Sequence, residues 1–275
     1  MQYIQSIILG LVQGLTEFLP VSSSGHLAIF KHIFGEGFFT SGITFDIMLH
    51  IGTLIAVFAV YYKDIWELIL EFFRLIGDIF RGRFEIKTPY RRMLLMLIVA
   101  SIPAAVFGML VKDFIESISE DRLWVVGICL FITAFLLFIS DKISKGTKEA
   151  QDLTVGSSLV VGLFQAFAVL PGISRSGSTI VGGLFNGFSR EFAVKFSFLL
   201  SIPAILGAAL LDFKDVLSTG FDMSPLAALL GVVVAAASGF WAIKVLLKVV
   251  KNGKFRFFAY YCALAGVVTL IISFI

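Results

Sequence analysis

The stretch Gln13-Gly14-Leu15-Thr16-Glu17-Phe18-Leu19-Pro20-Val21-Ser22-Ser23-Ser24-Gly25-His26 interrupts an apolar segment that runs over 3–34. A second stretch, Pro171-Gly172-Ile173-Ser174-Arg175-Ser176-Gly177-Ser178-Thr179, interrupts the apolar segment 157–188 in the same way. Each puts proline, glycine and several serines where a straight apolar helix would otherwise continue. Irregular backbone at membrane depth survives only where protein or a water-filled cavity satisfies its polar groups. In a membrane protein, both segments therefore read as re-entrant helical hairpins.

Working outward, the whole chain asks for lipid. Of its 275 residues 58% are hydrophobic and only 15% charged, and the mean hydropathy is +0.97. A soluble domain carries about a quarter charged residues. Six further stretches approach the roughly 20 apolar residues that a membrane span needs: 43–62, 93–111, 123–140, 193–211, 224–243 and 257–275. The fold expected is an all-α integral membrane protein of six transmembrane helices plus two re-entrant hairpins. The start of the chain lacks a basic n-region and a small-residue cleavage site, so no removable signal peptide is expected. Cys129 and Cys262 lie in apolar stretches and read as small buried hydrophobes. The 30 phenylalanines read as lipid-facing surface, and Pro103 and Pro203 as helix kinks.

Charge placement sets the topology. Lys63, Arg74, Arg81, Arg83, Lys87, Arg91 and Arg92 crowd the connection 63–92. Lys142, Lys145 and Lys148 mark 141–156, and five basic residues mark 244–256. The connections 112–122 and 212–223 are mainly acidic. The positive-inside rule puts the first three in the cytoplasm. Both termini then lie outside, with the first hairpin at the outer face and the second at the inner face. The net charge of +3 is too small to point to a nucleic-acid partner.

That topology predicts a repeat, and the sequence carries one. Gly10-Leu11-Val12-Gln13 matches Gly162-Leu163-Phe164-Gln165, Gly25 matches Gly177, and Lys63-Asp64-Ile65 matches Lys214-Asp215-Val216. One repeat covers 1–150 (hairpin 3–34 and three spans), the other 151–275 (hairpin 157–188 and three spans). Three spans are an odd number, so the second copy is inverted. The first copy has an extra insert around 72–91, in which Phe72, Phe73, Leu75, Ile76, Ile79 and Phe80 alternate with charges. That is the make-up of an interfacial amphipathic helix.

Ionisable side chains at membrane depth usually face a cavity or each other, which singles out Glu17, His26 and Arg175. Ser22 to Ser24 and Ser174 to Ser178 precede apolar runs and are good N-caps. If the hairpins meet, two helix N-termini converge, which is an anion-binding arrangement. Arg175 adds a fork suited to phosphate, and Ser23, Ser174, Ser176 and Thr179 add hydroxyls. Glu17 shares a helix face with Gln13, and a carboxylate beside a phosphate makes sense with a divalent cation between them. His26 is suited to acid–base work. Together these groups suggest hydrolysis of a phosphoester or diphosphate. Asp46 and His50 share a face of the first full span, as a proton relay or as helix–helix polar packing.

These two motifs resemble the signature motifs of the bacterial undecaprenyl-diphosphate phosphatases, the bacitracin-resistance family, and the resemblance extends over the whole chain. It implies hydrolysis of undecaprenyl diphosphate to the monophosphate, which recycles the lipid carrier of cell-wall synthesis. It also implies Mg²⁺ or Ca²⁺ as activator, and a site opening to the outer face of the plasma membrane. By position, Glu17 matches the essential motif glutamate, His26 the motif histidine and Arg175 the phosphate-binding arginine. Ser23 matches the residue proposed as nucleophile or phosphate ligand. Ser22, Ser24, Gly25, Ser174, Ser176, Gly177 and Thr179, in the same two motifs, are expected to bind the substrate. The metal is expected on Glu17 and Gln13, where relatives carry Glu or Gln at the latter position. The attacking group is left open between Ser23 and a metal-bound water. The competing class is an alternating-access transporter or lipid flippase, which also uses inverted repeats with broken helices. Another lipid phosphatase superfamily with a Ser-Gly-His element is disfavoured, because the only histidines are His26, His32 and His50. Membrane lipids are the expected surroundings, and a homo-oligomer is compatible with the sequence.

Overall fold

A computed structural model of the chain describes residues 2–34, 43–143, 146–219, 223–251 and 255–274, and at 43, 112–121 and 212–219 the backbone alone. Lys145, Lys254 and the acidic side chains of 112–121 and 212–222, whose charges count in the expected topology, lie outside that description.

Among the described residues the regular elements are all helices, joined by turns and short irregular stretches. The helices are α1 (Gln2–Phe18), α2 (Ser23–Phe34), α3 (Ile43–Phe80), α4 (Pro89–Asp121), α5 (Leu123–Ser140), α6 (Val155–Phe167), α7 (Arg175–Phe185), α8 (Arg190–Thr219), α9 (Pro225–Lys251) and α10 (Arg256–Ile272). A 3₁₀ turn, Ala150–Asp152, precedes α6. Five segments are long and apolar enough to cross a membrane: Thr44–Phe80, Pro89–Val111, Leu123–Ser140, Arg190–Leu211 and Pro225–Lys251. Val155–Phe167 and Arg256–Ile272 are shorter apolar helices. This is an all-helical, multi-pass membrane protein.

Two stretches expected as connections are partly helical. Much of 63–92 prolongs α3 to Phe80, and 244–251 ends α9. Residues 83–87 carry no regular structure, so the amphipathic helix lies earlier than the 72–91 insert suggested. α3 departs from helical geometry once, at Tyr61 (φ −108°, ψ 25°). Pro103 and Pro203 lie inside α4 and α8.

α1 packs along α9 while α6 packs along α4, and α5 pairs with α10. Glycine makes the first two crossings close. A Cβ on Gly10 would strike the Gly231 carbonyl, and one on Gly162 would strike the Ala100 carbonyl. Small residues at such crossings let helix backbones approach in lipid, where hydrophobic attraction between helices is absent. The phenylalanine reading needs correction. Phe18, Phe45, Phe188, Phe192, Phe196, Phe198 and Phe255 are buried, and Phe188 packs within 6 Å of both Phe192 and Phe196, ring centre to ring centre. α8 packs against α3, α4 and α7, so its buried rings fill an interior. Cys129 and Cys262 are free and buried, as expected.

Candidate active site

The breaks in the two hairpins meet. α1 stops at Phe18, two residues before Pro20, and α2 restarts at Ser23. The turn uses Ser22 at φ +72°, a left-handed conformation that costs a non-glycine residue about 1 kcal/mol. The Ser22 hydroxyl accepts from the Gly25 amide at 3.2 Å. Ser174 does the same for the Gly177 amide at 3.1 Å. Both are N-caps reaching the third helical residue. Gly172, at φ +97°, sits so close to Val126 and Cys129 on α5 that a Cβ would collide with both. A Cβ on Gly25 would lie 3.1 Å from the Gly172 Cα, and one on Gly177 3.3 Å from the Pro20 Cβ. The Ser176 hydroxyl donates to the Leu19 carbonyl at 3.3 Å. Thr133 of α5 ties the second tip down: its hydroxyl donates to the Gly172 carbonyl and accepts from the Ser174 amide, both at 3.0 Å. The N-termini of α2 and α7 therefore converge. The amides of Ser23, Ser24, Arg175 and Ser176 have no acceptor within their own helices, since helix geometry leaves the first turn's donors open.

Glu17 stands at this junction, its side chain 4% exposed. One carboxylate oxygen is paired with the Arg175 guanidinium. The other accepts from the Ser23 hydroxyl at 2.6 Å and the Gln13 amide at 3.0 Å. His50 Nε2 lies 3.9 Å from that same oxygen. His50 Nδ1 is 2.7 Å from the Asp46 carbonyl. A carbonyl only accepts, so Nδ1 carries a proton there and Nε2 is the nitrogen turned towards Glu17. The way in is marked by exposure. Ser24 is exposed and Ser23 half-buried, and the Arg175 and His50 side chains are 22% and 37% exposed. Gln13 lies at the closed end, fully buried.

His26 is differently placed. Its Nδ1 donates to the Ser22 carbonyl and its Nε2 is bonded to the Tyr261 hydroxyl, both at 2.7 Å. By the same reasoning, in the neutral ring Nε2 accepts from Tyr261. Both nitrogens are thus engaged away from Glu17. The Thr179 hydroxyl also turns away, donating to the Arg175 carbonyl at 2.8 Å and meeting the Ser197 hydroxyl at 2.5 Å.

A family model described as bacitracin resistance protein BacA matches residues 6–268. The chain belongs to the BacA family. Relatives extend over its full length. An undecaprenyl-diphosphatase of Alkaliphilus metalliredigens is 44% identical over 98% of both chains. One of Methanosphaera stadtmanae is 43% identical over 98% of both. Undecaprenyl-diphosphatase 3 of Bacillus cereus is 41% identical over 100% of this chain and 98% of its own.

In this BacA chain, Glu17, Gln13, Ser23 and Arg175 come together. Ser22, Gly25, Ser174, Ser176 and Gly177 build the two caps and the contact between them, and Ser24 lies at the open edge. Sequence reasoning missed Tyr261 and Thr133, which touch the motifs from 235 and 39 residues away. For His50, weighed between relay and packing, the geometry adds the approach to Glu17. Among the described residues, no three His, Cys, Asp or Glu side chains gather to hold a metal ion. The donors at the junction are instead oxygens of Glu17, Ser23 and Gln13. Gln13 Oε1 is buried without a hydrogen-bond partner. A hard cation completed by substrate oxygens fits such a set.

Proposed function

We propose that this protein hydrolyses undecaprenyl diphosphate to undecaprenyl phosphate and inorganic phosphate. The observation that carries the reading is the ion pair of Glu17 with Arg175, held where two helix N-termini meet and with the Ser23 hydroxyl on the same carboxylate. The terminal phosphate docks on Arg175 and on the open amides of Ser23, Ser24, Arg175 and Ser176, donors that suit an anion. Ser23 attacks the terminal phosphorus. Its oxygen forms the new P–O bond, its proton passes to Glu17, and the phosphoanhydride bond breaks to release undecaprenyl phosphate. Glu17 gives that proton to the departing phosphate. Water then attacks the phosphoserine, and Glu17 takes a proton from the water and passes it to the Ser23 oxygen as the Ser23 O–P bond breaks and inorganic phosphate leaves. Arg175 and the amides stabilise charge on the transferring group.

Glu17 and the free Gln13 oxygen are the residues that would hold Mg²⁺ or Ca²⁺, and such an ion would supply charge neutralisation for the diphosphate. The architecture is six spans and two re-entrant hairpins in inverted repeats. The exchange of partners between α1–α9 and α6–α4 supports this, as do the paired caps. The protein lies in the plasma membrane with both termini outside and the site opening outward.

The test is phosphate release from undecaprenyl diphosphate in detergent, with and without EDTA, followed by readdition of Mg²⁺ or Ca²⁺. Release that stops in EDTA and returns with metal is expected. Release indifferent to EDTA removes the cation from the scheme. Binding of the lipid with no release at any metal concentration favours the carrier class instead. Ser23→Ala with wild-type turnover would hand the attack to water.

A further inference from the structure

α3 is longer than a membrane needs. Thr44–Phe80 covers 37 residues, or about 55 Å at 1.5 Å per residue, against a hydrocarbon core of about 30 Å. The first part, up to the irregular Tyr61, already suffices for a span. Beyond Tyr61 the helix makes unusual contacts with α4. Asp64, Glu71 and Asp78 fall seven residues apart on one face of α3, and all three reach the first turn of α4. Tyr90 donates to Asp64 at 3.0 Å, and Arg91 donates to Glu71 at 2.9 Å and to Asp78 at 2.6 Å. A helix lying alongside α4 would meet its successive turns. One that presents some 20 Å of its length to a single turn crosses it steeply. Since Pro89–Val111 is a spanning segment, α3 beyond Tyr61 runs along the membrane plane.

The surface of that segment has three stripes. Ile65, Leu68, Glu71 and Leu75 are buried against the protein. Trp66, Ile69, Phe73 and Phe80, at helical spacing, are exposed and apolar. Between these lies a polar stripe of Lys63, Glu67, Arg74 and Arg81. A helix wholly inside lipid has no use for the third stripe, and one in water none for the second. We propose that residues 62–80 form an interfacial foot that binds the membrane surface at the α4 entry end. Its aromatic stripe enters the acyl boundary, and Lys63 and Arg81, the latter just past the helix end, hold anionic lipid headgroups, while Arg74 pairs with Glu71 at 3.0 Å. Tryptophan favours this depth, and basic residues beside an apolar stripe favour anionic leaflets.

Trp66 is a built-in reporter. With Trp124→Phe and Trp241→Phe as background, the full chain is reconstituted in vesicles containing brominated phosphatidylcholine. Strongest quenching of Trp66 is expected when bromine sits near the headgroup end of the acyl chain. Strongest quenching from bromine at the bilayer centre, or none, overturns the proposal: the first means a crossing helix, the second a face turned to water or to another protein. In equal mixtures, brominated phosphatidylglycerol should quench more than brominated phosphatidylcholine. Lys63→Gln and Arg81→Gln should each lower that preference about fivefold at low salt. Equal quenching by the two headgroups in the unsubstituted foot overturns the anionic part.

Discussion

The two hairpin tips share a frame and differ in their chemistry. At one common offset Gln13 aligns with Gln165, Ser22 with Ser174 and Gly25 with Gly177. Ser22 and Ser174 cap the same way, and Gly25 and Gly177 receive the caps. At that offset Ser23 corresponds to Arg175, so one tip offers a hydroxyl where the other offers a guanidinium. Glu17 corresponds to Val169, so only the first tip has a carboxylate. Gln13 bonds to Glu17, whereas neither amide atom of Gln165 has a hydrogen-bond partner. The shared residues are those that any helix start needs. The unshared ones form the proposed site, so the shared residues build the meeting point and the proposed reaction rests on the unshared ones.

The sharpest way to break this comparison is to remove the carboxylate. Glu17→Gln should lower phosphate release by about 10³-fold, within the range for losing a general base, and also unpair Arg175. Release within tenfold of wild type would mean that the first tip is no more reactive than the second. Arg175→Lys keeps the charge but loses the fork. A drop of about 10²-fold in kcat/KM is expected, since a positioned donor contributes about that much to a transferring oxyanion. An unchanged kcat/KM would reduce the arginine to a partner of Glu17.

Much of this was legible in the sequence. Glu17, Ser23 and Arg175 sit beside Pro, Gly and Ser that no apolar helix tolerates without reason, so the breaks announced themselves. Long apolar runs marked the helices, with α10, at 17 residues, shorter than the roughly 20 of a usual span. What stayed hidden depends on helix crossings. Nothing in the sequence distinguishes Tyr261 from Tyr260, and both are exposed, yet Tyr261 reaches His26. Phe188 to Phe198 looked like lipid-facing rings, because in a membrane protein interior and exterior are equally apolar and composition cannot tell them apart. The foot was half visible: its residue types were recognised, but only the contacts of Tyr90 and Arg91 reveal its direction.

The glutamines sharpen the comparison at smaller scale. Gln165→Leu replaces a buried amide lacking partners, whose desolvation costs about 1–3 kcal/mol. The apparent melting temperature should rise by about 2–4 °C per kcal/mol gained, with hydrolysis unchanged. Gln13→Leu should instead cost about 10-fold in turnover, the value of a hydrogen bond to a charged group. Matching effects of the two would erase the difference between the tips.

The smallest effect tests the side of the first tip that faces away from Glu17. Tyr261→Phe keeps the ring that lies parallel to His26, at 4° and 5.5 Å, and removes only the hydroxyl. His26 Nε2 then loses its donor, while Nδ1 still holds the Ser22 carbonyl and with it the left-handed turn. If His26 works by bracing that turn, the loss is one hydrogen bond, about 1 kcal/mol. Melting should fall by about 2–4 °C, and turnover should stay within a few-fold. If His26 instead exchanges protons with substrate through Nε2, removing the hydroxyl frees that nitrogen and changes the pH profile of turnover. A shifted profile with unchanged melting would move His26 from the frame shared by both tips into the chemistry peculiar to one.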